Sequence, residues 1–275
     1  MMTDHLQSVE ALADLLHDGA KVALGPDYSY CPNAFWRAKL AQGVKDLHLV
    51  GVPVLGYQGD MLIGAGAVAT VETSAVTLGE NGMAPRFAAA AKSASVKILD
   101  ATCPAIHAGL LAAERGAPFN VMRGLIGSDI LARRSDWTVI DNPFAEGKDP
   151  IVAIPAIQPD FAIFHAPKAD RLGNVWIGHR RELMVMAHAA KQTLVTVEEF
   201  VDEDLTIDPA LGPGTIPGLY ISSVAEAKQG AWPQGIPGGY GPDLEHLARY
   251  AQMAKTEEGY ATYLNELLGR KEAAE

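Results

Sequence analysis

The sequence predicts an α/β protein built on a mostly parallel sheet, and three features carry that expectation. Short apolar, β-branched runs alternate with helical periodicities from residue 8 to 114, and again from 151 to 197. Apolar residues make up 48% of the 275 and charged residues 20%, a balance that supports a sizeable core. No fixed-period repeat and no Gly/Ser-rich linker divides the chain, so residues 1–275 read as a single domain with an excursion around 123–150.

The elements follow in order. Ser8 caps a first helix, with Glu10 in its opening turn and Leu12, Leu15 and Leu16 as its apolar stripe, and Asp18-Gly19 ends it. Residues 21–24 form a short strand, Pro32 opens a helix that runs through Leu40, and 46–52 form another strand. Strand, helix, strand is the pattern of a parallel crossover. It continues with a helical turn at 60–63, a strand at 69–76, a helix at 85–92, a strand at 96–99 and a helix at 104–114. Residues 123–148 are looser. Strands return at 151–154 and 161–165, and a helix at 182–190 precedes a strand at 193–197. The Gly- and Pro-rich stretch 202–241 reads as loops around one strand at 219–224. Helices at 243–254 and 257–268 close the chain, with a polar, frayed tail at 269–275.

A formal net charge of -11 argues against a nucleic-acid binder, which needs a basic face, and against adhesion to an anionic membrane. It leaves room for an anionic small molecule held by a local group of arginines. Two cysteines, Cys31 and Cys103, make neither a zinc ribbon nor a disulfide framework, and a reducing compartment fits. The opening MMTDHLQSVEAL is not a secretory signal, and no apolar run approaches the roughly 18 residues of a membrane span. A cytoplasmic protein is expected.

In open parallel sheets ligands bind beyond the carboxyl ends of the strands, so the residues there are the first candidates. After the first strand comes Gly25-Pro26-Asp27-Tyr28, either a plain turn or a place where Gly25 lets a ligand approach the backbone. After the third comes Gly79-Glu80-Asn81-Gly82. Glu80 is either a solvated turn carboxylate or a base or nucleophile in acyl transfer, with Asn81 and Gly82 beside the ligand. After the fourth, Pro104 suits the first helical position and places Cys103 at the N-cap. Cys103 is there either an inert thiol or one activated by the helix dipole and His107.

Arg123 and Ser128, within Arg123-Gly124-Leu125-Ile126-Gly127-Ser128-Asp129, suit either a carboxylate or phosphate ligand or a structural salt bridge. Asn174 in the Gly173-Asn174 turn offers a donor and an acceptor, and His179-Arg180-Arg181 is a basic patch for phosphates or for solvent. Glu198-Glu199 at a strand end either orients a loop or does acid/base work. No HExxH-type metal spacing, GxGxxG after a strand or Walker loop occurs, so no metal, nicotinamide or ATP is expected.

Taken together these stretches resemble the A-type chain of family I coenzyme A transferases, of the glutaconate CoA-transferase type. The densest resemblance is residues 154–201, IPAIQPDFAIFHAPKADRLGNVWIGHRRELMVMAHAAKQTLVTVEEFV, where Asp170, Gly173, Asn174, Glu198 and Glu199 fall on the family's pattern. DMLIGAGAVATVETS at 60–74, GMAPRF at 82–87 and GLLAAERGAPFNVMRGLIGSDI at 109–130 extend it, so that it runs from about Leu16 to Leu268.

The resemblance implies the open α/β sandwich shared with sugar-phosphate isomerases. It implies CoA exchange between an acyl-CoA and a carboxylic acid, such as a dicarboxylate or a 3-oxo acid, through a glutamyl-CoA thioester. It also implies a B (beta) subunit that carries the nucleophilic glutamate, with coenzyme A as substrate and no permanently bound cofactor.

Two stretches depart from the family pattern. The family's Gly-Gly-Phe-Gly is here Gly25-Pro26-Asp27-Tyr28, where a proline removes a backbone donor from any oxyanion hole. Its Pro-Gly-Gly-Ala-His-Pro is replaced by Gln229-Gly230-Ala231-Trp232-Pro233, without the histidine. These departures keep a CoA-thioester hydrolase or a ring- or C–C-cleaving hydrolase of the same fold open as an alternative. A non-catalytic metabolite-binding module is a third reading.

Overall fold

A computed structural model describes residues 6–270. The expected tail at 269–275 lies outside the described residues from 271 onward, as does the opening Met1–His5 of the N-terminal segment.

In chain order the strands and helices are β1 (Leu6–Gln7), α1 (Val9–Asp14), β2 (Lys21–Leu24), α2 (Asn33–Gln42), β3 (Leu47–Gly51), α3 (Tyr57–Gly64), β4 (Val68–Thr73) and α4 (Pro85–Ser93). Then come β5 (Lys97–Asp100), α5 (Cys103–Glu114), β6 (Phe119–Met122), α6 (Asp129–Arg133), β7 (Thr138–Asp141), β8 (Pro150–Pro155) and β9 (Phe161–Asp170). The remainder are β10 (Val175–Trp176), α7 (Arg181–Ala189), β11 (Gln192–Val201), β12 (Thr215–Ile216), β13 (Ser223–Glu226), α8 (Leu244–Met253) and α9 (Glu257–Leu267).

The main sheet runs β1-β13-β11-β9-β2-β3-β4-β5, and every neighbour along that path is parallel. Side chains on a strand alternate between faces, and here both faces are buried. Val22 and Leu24 point into one core with α1 to α4, α8 and α9, while Ala23 between them points into a second core with α5 and α7. Phe161 and Ile163 divide from Ala162 and Phe164 in the same way. The fold is thus the α/β arrangement expected, with helices on both faces of the parallel sheet.

Local chemistry sets the element ends. Ser8 Oγ accepts the Ala11 amide at 3.1 Å and opens α1. Thr256 Oγ1 does the same for α9, accepting Gly259 N–H at 3.0 Å. At α5 the cap position falls on Thr102, one residue before the expected Cys103, and Pro104 occupies the second helical position. Pro104 lacks an N–H, which no helix start requires at either of these positions.

The excursion holds more structure than its sequence suggests. β6, β8 and β7 form a separate antiparallel sheet, although β6 and β7 are only four residues each. Their apolar residues Phe119, Val121 and Val139 are exposed, so neither strand turns a fully buried apolar face to a core. Arg134 ties this excursion to the main sheet. Its guanidinium donates to Glu72 of β4 at 2.8 Å and to Asp136 at 2.7 Å, and stacks on Trp137. Burial disfavours the Glu72 charge, but His48, Lys21 and Arg134 outweigh it and hold the carboxyl at about 2.

The strand expected at 219–224 is displaced. Gly218–Tyr220 is a short helical turn, and β13 begins at Ser223, where Leu194 of β11 sets the parallel register. Among the described residues no helix is long and apolar enough to cross a membrane.

Candidate functional site

The carboxyl ends of β2, β3 and β4 open onto a cavity of about 860 Å³. Its lining comes from three strand-end segments and one distant strap. Pro26, Asp27 and Tyr28 follow β2; Val54, Leu55 and Gly56 follow β3; Thr77 to Asn81 follow β4. The strap is residues 234–242, with Leu244 and Leu247 of α8 beside it. A crevice at the strand ends of an open parallel sheet is where such folds place ligands.

Asp27 is the acid in the lining that its surroundings perturb. The Tyr57 amide donates to its Oδ2 at 2.9 Å, and the Cys31 thiol lies 3.8 Å from Oδ1. Burial pushes the Asp27 carboxyl up to about 6, with nearby Asp60 adding to the rise and the hydrogen bonds from Tyr57, Cys31 and Gln234 opposing it. The side chain is deep in the protein yet opens on the cavity, so it is only partly shielded from solvent. Behind it, Gln58 donates to the Gly25 carbonyl at 2.7 Å and fixes the loop.

The strap is held from below by a buried histidine paired with a half-buried glutamate. His165 of β9 donates through Nε2 to Glu198 Oε1 at 2.9 Å, while its Nδ1 accepts from Thr196 at 2.8 Å. Burial lowers the His165 pKa despite Glu198, and the Glu198 carboxylate, which can only accept, sets the tautomer with the proton on Nε2. Glu198 also accepts the Gln229 amide at 2.8 Å, the Gly230 amide at 3.0 Å and the Tyr240 hydroxyl at 3.1 Å. Burial opposes the Glu198 charge, but these donors together outweigh it and hold the carboxyl at about 2. Tyr240, a cavity wall residue, in turn accepts the Ala231 amide at 2.9 Å. Gly230 passes so close to His165 that a β-carbon there falls 2.5 Å from the ring.

The residues singled out in the sequence fall into two groups. Glu80 and Asn81 sit at the cavity rim on the turn Gly79–Asn81, which Gly82 closes with φ +90°. Gly25 lies directly behind Asp27 in the same loop. Arg180 stacks on Tyr28, its guanidinium 5.1 Å from the ring centroid, and so stands one residue back from the cavity wall.

The others lie elsewhere. Cys103 is exposed and its sulfur is 3.2 Å from Ser74 Oγ, not paired with His107, and neither Cys103 nor His107 lines the cavity. Arg123 pairs with Asp149, which is the salt-bridge alternative, and Ser128 caps α6 by accepting the Leu131 amide at 3.3 Å. Asn174 is buried and spends its amide inside the protein, donating to Asp170 at 2.7 Å and accepting from Gly218 at 2.8 Å. Glu199 bridges to Lys168 at 3.4 Å, whereas Glu198 orients a loop. Among the described residues no group of His, Cys, Asp and Glu side chains is arranged to hold a metal ion.

Residues 6–227 match the family model of coenzyme A transferase. The chain belongs to the coenzyme A transferase family. It is 31% identical over 284 residues to the A-type chain of 3-oxoadipate CoA-transferase from Pseudomonas knackmussii, covering 100% of this chain and 97% of that protein. It is 31% identical over 279 residues to the A-type chain of glutaconate CoA-transferase from Acidaminococcus fermentans, covering 94% of this chain and 85% of that protein. A further relative, an uncharacterized protein of Archaeoglobus fulgidus, is 33% identical over 269 residues; the match covers 95% of this chain but 59% of that longer protein.

The solved structure of glutaconate coenzyme A-transferase from Acidaminococcus fermentans superposes with a TM-score of 0.87 at 28% identity, over 96% of this chain and 89% of that one. The decarboxylase AibA/AibB gives 0.84 at 27% identity, over 98% and 100%. In this coenzyme A transferase family member, residues 154–201 run from β8 through β11 and place His165 and Glu198, the strap's anchor, on the neighbouring parallel strands β9 and β11. Glu198 stands out in the sequence as a possible loop orienter, whereas nothing local marks Asp27, Gly56 or the strap's wall as parts of one site. The one local signal for the strap is its run of glycines.

Proposed function

We propose that this chain is the A-type member of a two-chain enzyme that moves CoA between an acyl-CoA and a carboxylic acid. The carrying observation is the cavity at the ends of β2, β3 and β4, in a chain matched almost end to end by the A-type chains of transferases. In this reading the cavity receives the acyl part of the thioester. The rim at Glu80 and Asn81 faces the partner B subunit, whose glutamate forms the covalent glutamyl-CoA thioester. Covalent attack splits one difficult exchange into two easier ones. In this reading Arg180, which stacks on the wall residue Tyr28, meets a CoA phosphate. Coenzyme A is the substrate here, not a resident cofactor, and a reducing cytoplasm suits the two free cysteines.

The test is co-expression with the B-type chain of a neighbouring reading frame, followed by an assay for CoA exchange between two acids. Exchange with a borohydride-trapped glutamyl adduct supports the reading. A chain that stays alone and never binds such a partner sinks it.

One observation favours a second reading, a thioester hydrolase or C–C-cleaving enzyme. Asp27 replaces part of the glycine loop with a carboxyl that burial pushes up to about 6, which suits a general acid or base. Turnover without any trapped adduct on either chain selects it.

A further inference from the structure

The cavity walls are mostly apolar and carry no cation among the described residues. Val54, Leu55, Leu78, Ile236, Leu244 and Leu247 provide apolar surface. The ionisable acids that open on it are Asp27 and Glu80, and among the described residues that line it none is lysine, arginine or histidine. Arg180, on the far side of Tyr28, is not among them. A second carboxylate, at the end of the acyl body away from the reacting carbonyl, leaves water in this space, meets no opposite charge and shares the space with Asp27 and Glu80. Burying an unpaired charge is costly, whereas burying hydrocarbon is favourable. At about 860 Å³ the space is within the range that encloses a drug-sized ligand.

We infer that this site takes an acyl group with an uncharged, largely hydrocarbon body, as the thioester of a monocarboxylic acid, and rejects acyl groups that bear a second carboxylate. The inference rests on the reading of the cavity as the acyl site and narrows it. It departs from the dicarboxylate expected from the sequence resemblance, because that resemblance marks the fold and not the charge of this wall.

The purified two-chain complex is assayed with octanoyl-CoA and with its ω-carboxylated counterpart, suberyl-CoA, each with acetate as the common CoA acceptor. The expected kcat/KM ratio is at least about tenfold in favour of octanoyl-CoA. From butyryl- to octanoyl-CoA, kcat/KM is expected to rise roughly three- to fourfold per buried methylene. Leu244 stands at the mouth and is 67% exposed, so Leu244→Lys is tolerated by the fold and offers a cation to the ω-carboxylate. That variant is expected to lower the ratio at least about threefold. A ratio of one or less, or one that Leu244→Lys leaves unmoved, overturns the inference while the CoA-thioester reading stands. Failure to turn over any acyl-CoA brings down that reading and the inference with it.

Discussion

Gly56 lies so close to Asp27 that a β-carbon on it falls 2.2 Å from the Asp27 carboxyl, whose Oδ2 accepts the neighbouring Tyr57 amide at 2.9 Å. The two residues share one space, and the carboxyl is held in the cavity because Gly56 has no side chain. Gly56→Ala must therefore displace Asp27 or shift the turn after β3. The expected cost is about 1–3 kcal/mol, as for other overpacked sites, read as a lower urea midpoint at unchanged slope. Adding Asp27→Gly to Gly56→Ala removes the atoms in conflict. The double variant is expected to recover part of the loss, and simple additivity of the two changes would falsify the shared-space argument.

Asp27 makes a pH-dependent contribution whose sign follows from its raised pKa. In the folded protein it titrates near 6, against an ordinary value of 3.8. Between those values the native state holds a proton that the unfolded chain has released, so stability falls as pH rises through this window and is flat above it. The full swing is at most about 3 kcal/mol, reduced where cavity water screens the group. Asp27→Asn is expected to flatten the stability profile between pH 4 and 6. It is also expected to be more stable than the parent near neutrality. Urea unfolding across that range gives both results.

Glu198 behaves in the opposite sense. Its folded pKa of about 2 lies below the ordinary 4.5, so its stabilisation is present above the ordinary value and is lost as pH falls toward 2. Glu198→Gln keeps the shape but removes the charge-assisted bonds to Gln229, Gly230 and Tyr240. A loss of roughly 1.5–3 kcal/mol is expected at neutral pH. Faster amide exchange through residues 229–241 is the specific sign, because a merely global effect accelerates all segments alike.

Tyr240→Phe tests the strap from its other end. The variant leaves the Ala231 amide without its acceptor and takes one donor from Glu198. The expected loss is about 1–3 kcal/mol, the range for an unsatisfied buried donor. In the assembled enzyme KM is expected to rise more than kcat falls, since the wall moves while the rim at Glu80 stays in place.

Cys103→Ala supplies the contrasting case. The thiol is exposed, touches Ser74 and lies outside the cavity lining. Turnover within about twofold of the parent is expected, and stability within roughly 0.5 kcal/mol, as for a surface position. A loss of more than tenfold in kcat at unchanged fold makes Cys103 a catalytic candidate again.

Features that depend on neighbouring residues are readable in the chain before it folds. The Ser8 cap, the helix start around Pro104 and the alternation of strands and helices all follow from patterns within a few residues, and the structure reproduces them. Family membership was legible for a related reason: residues 154–201 form a contiguous run from β8 to β11. In the small sheet β6-β8-β7 the strand at 151–154 was legible and appears as β8, whereas β6 and β7 were not, because four residues each are too few to show a period.

The site was decided by tertiary structure. Asp27 in the sequence is an ordinary turn acid, and only burial against a loop 30 residues away raises its pKa. Glu198 meets His165 across 33 residues and Tyr240 across 42, so neither bond is visible to any local pattern. Desolvation and long-range hydrogen bonds depend on which surfaces the fold brings together, and those surfaces come from segments far apart in the chain.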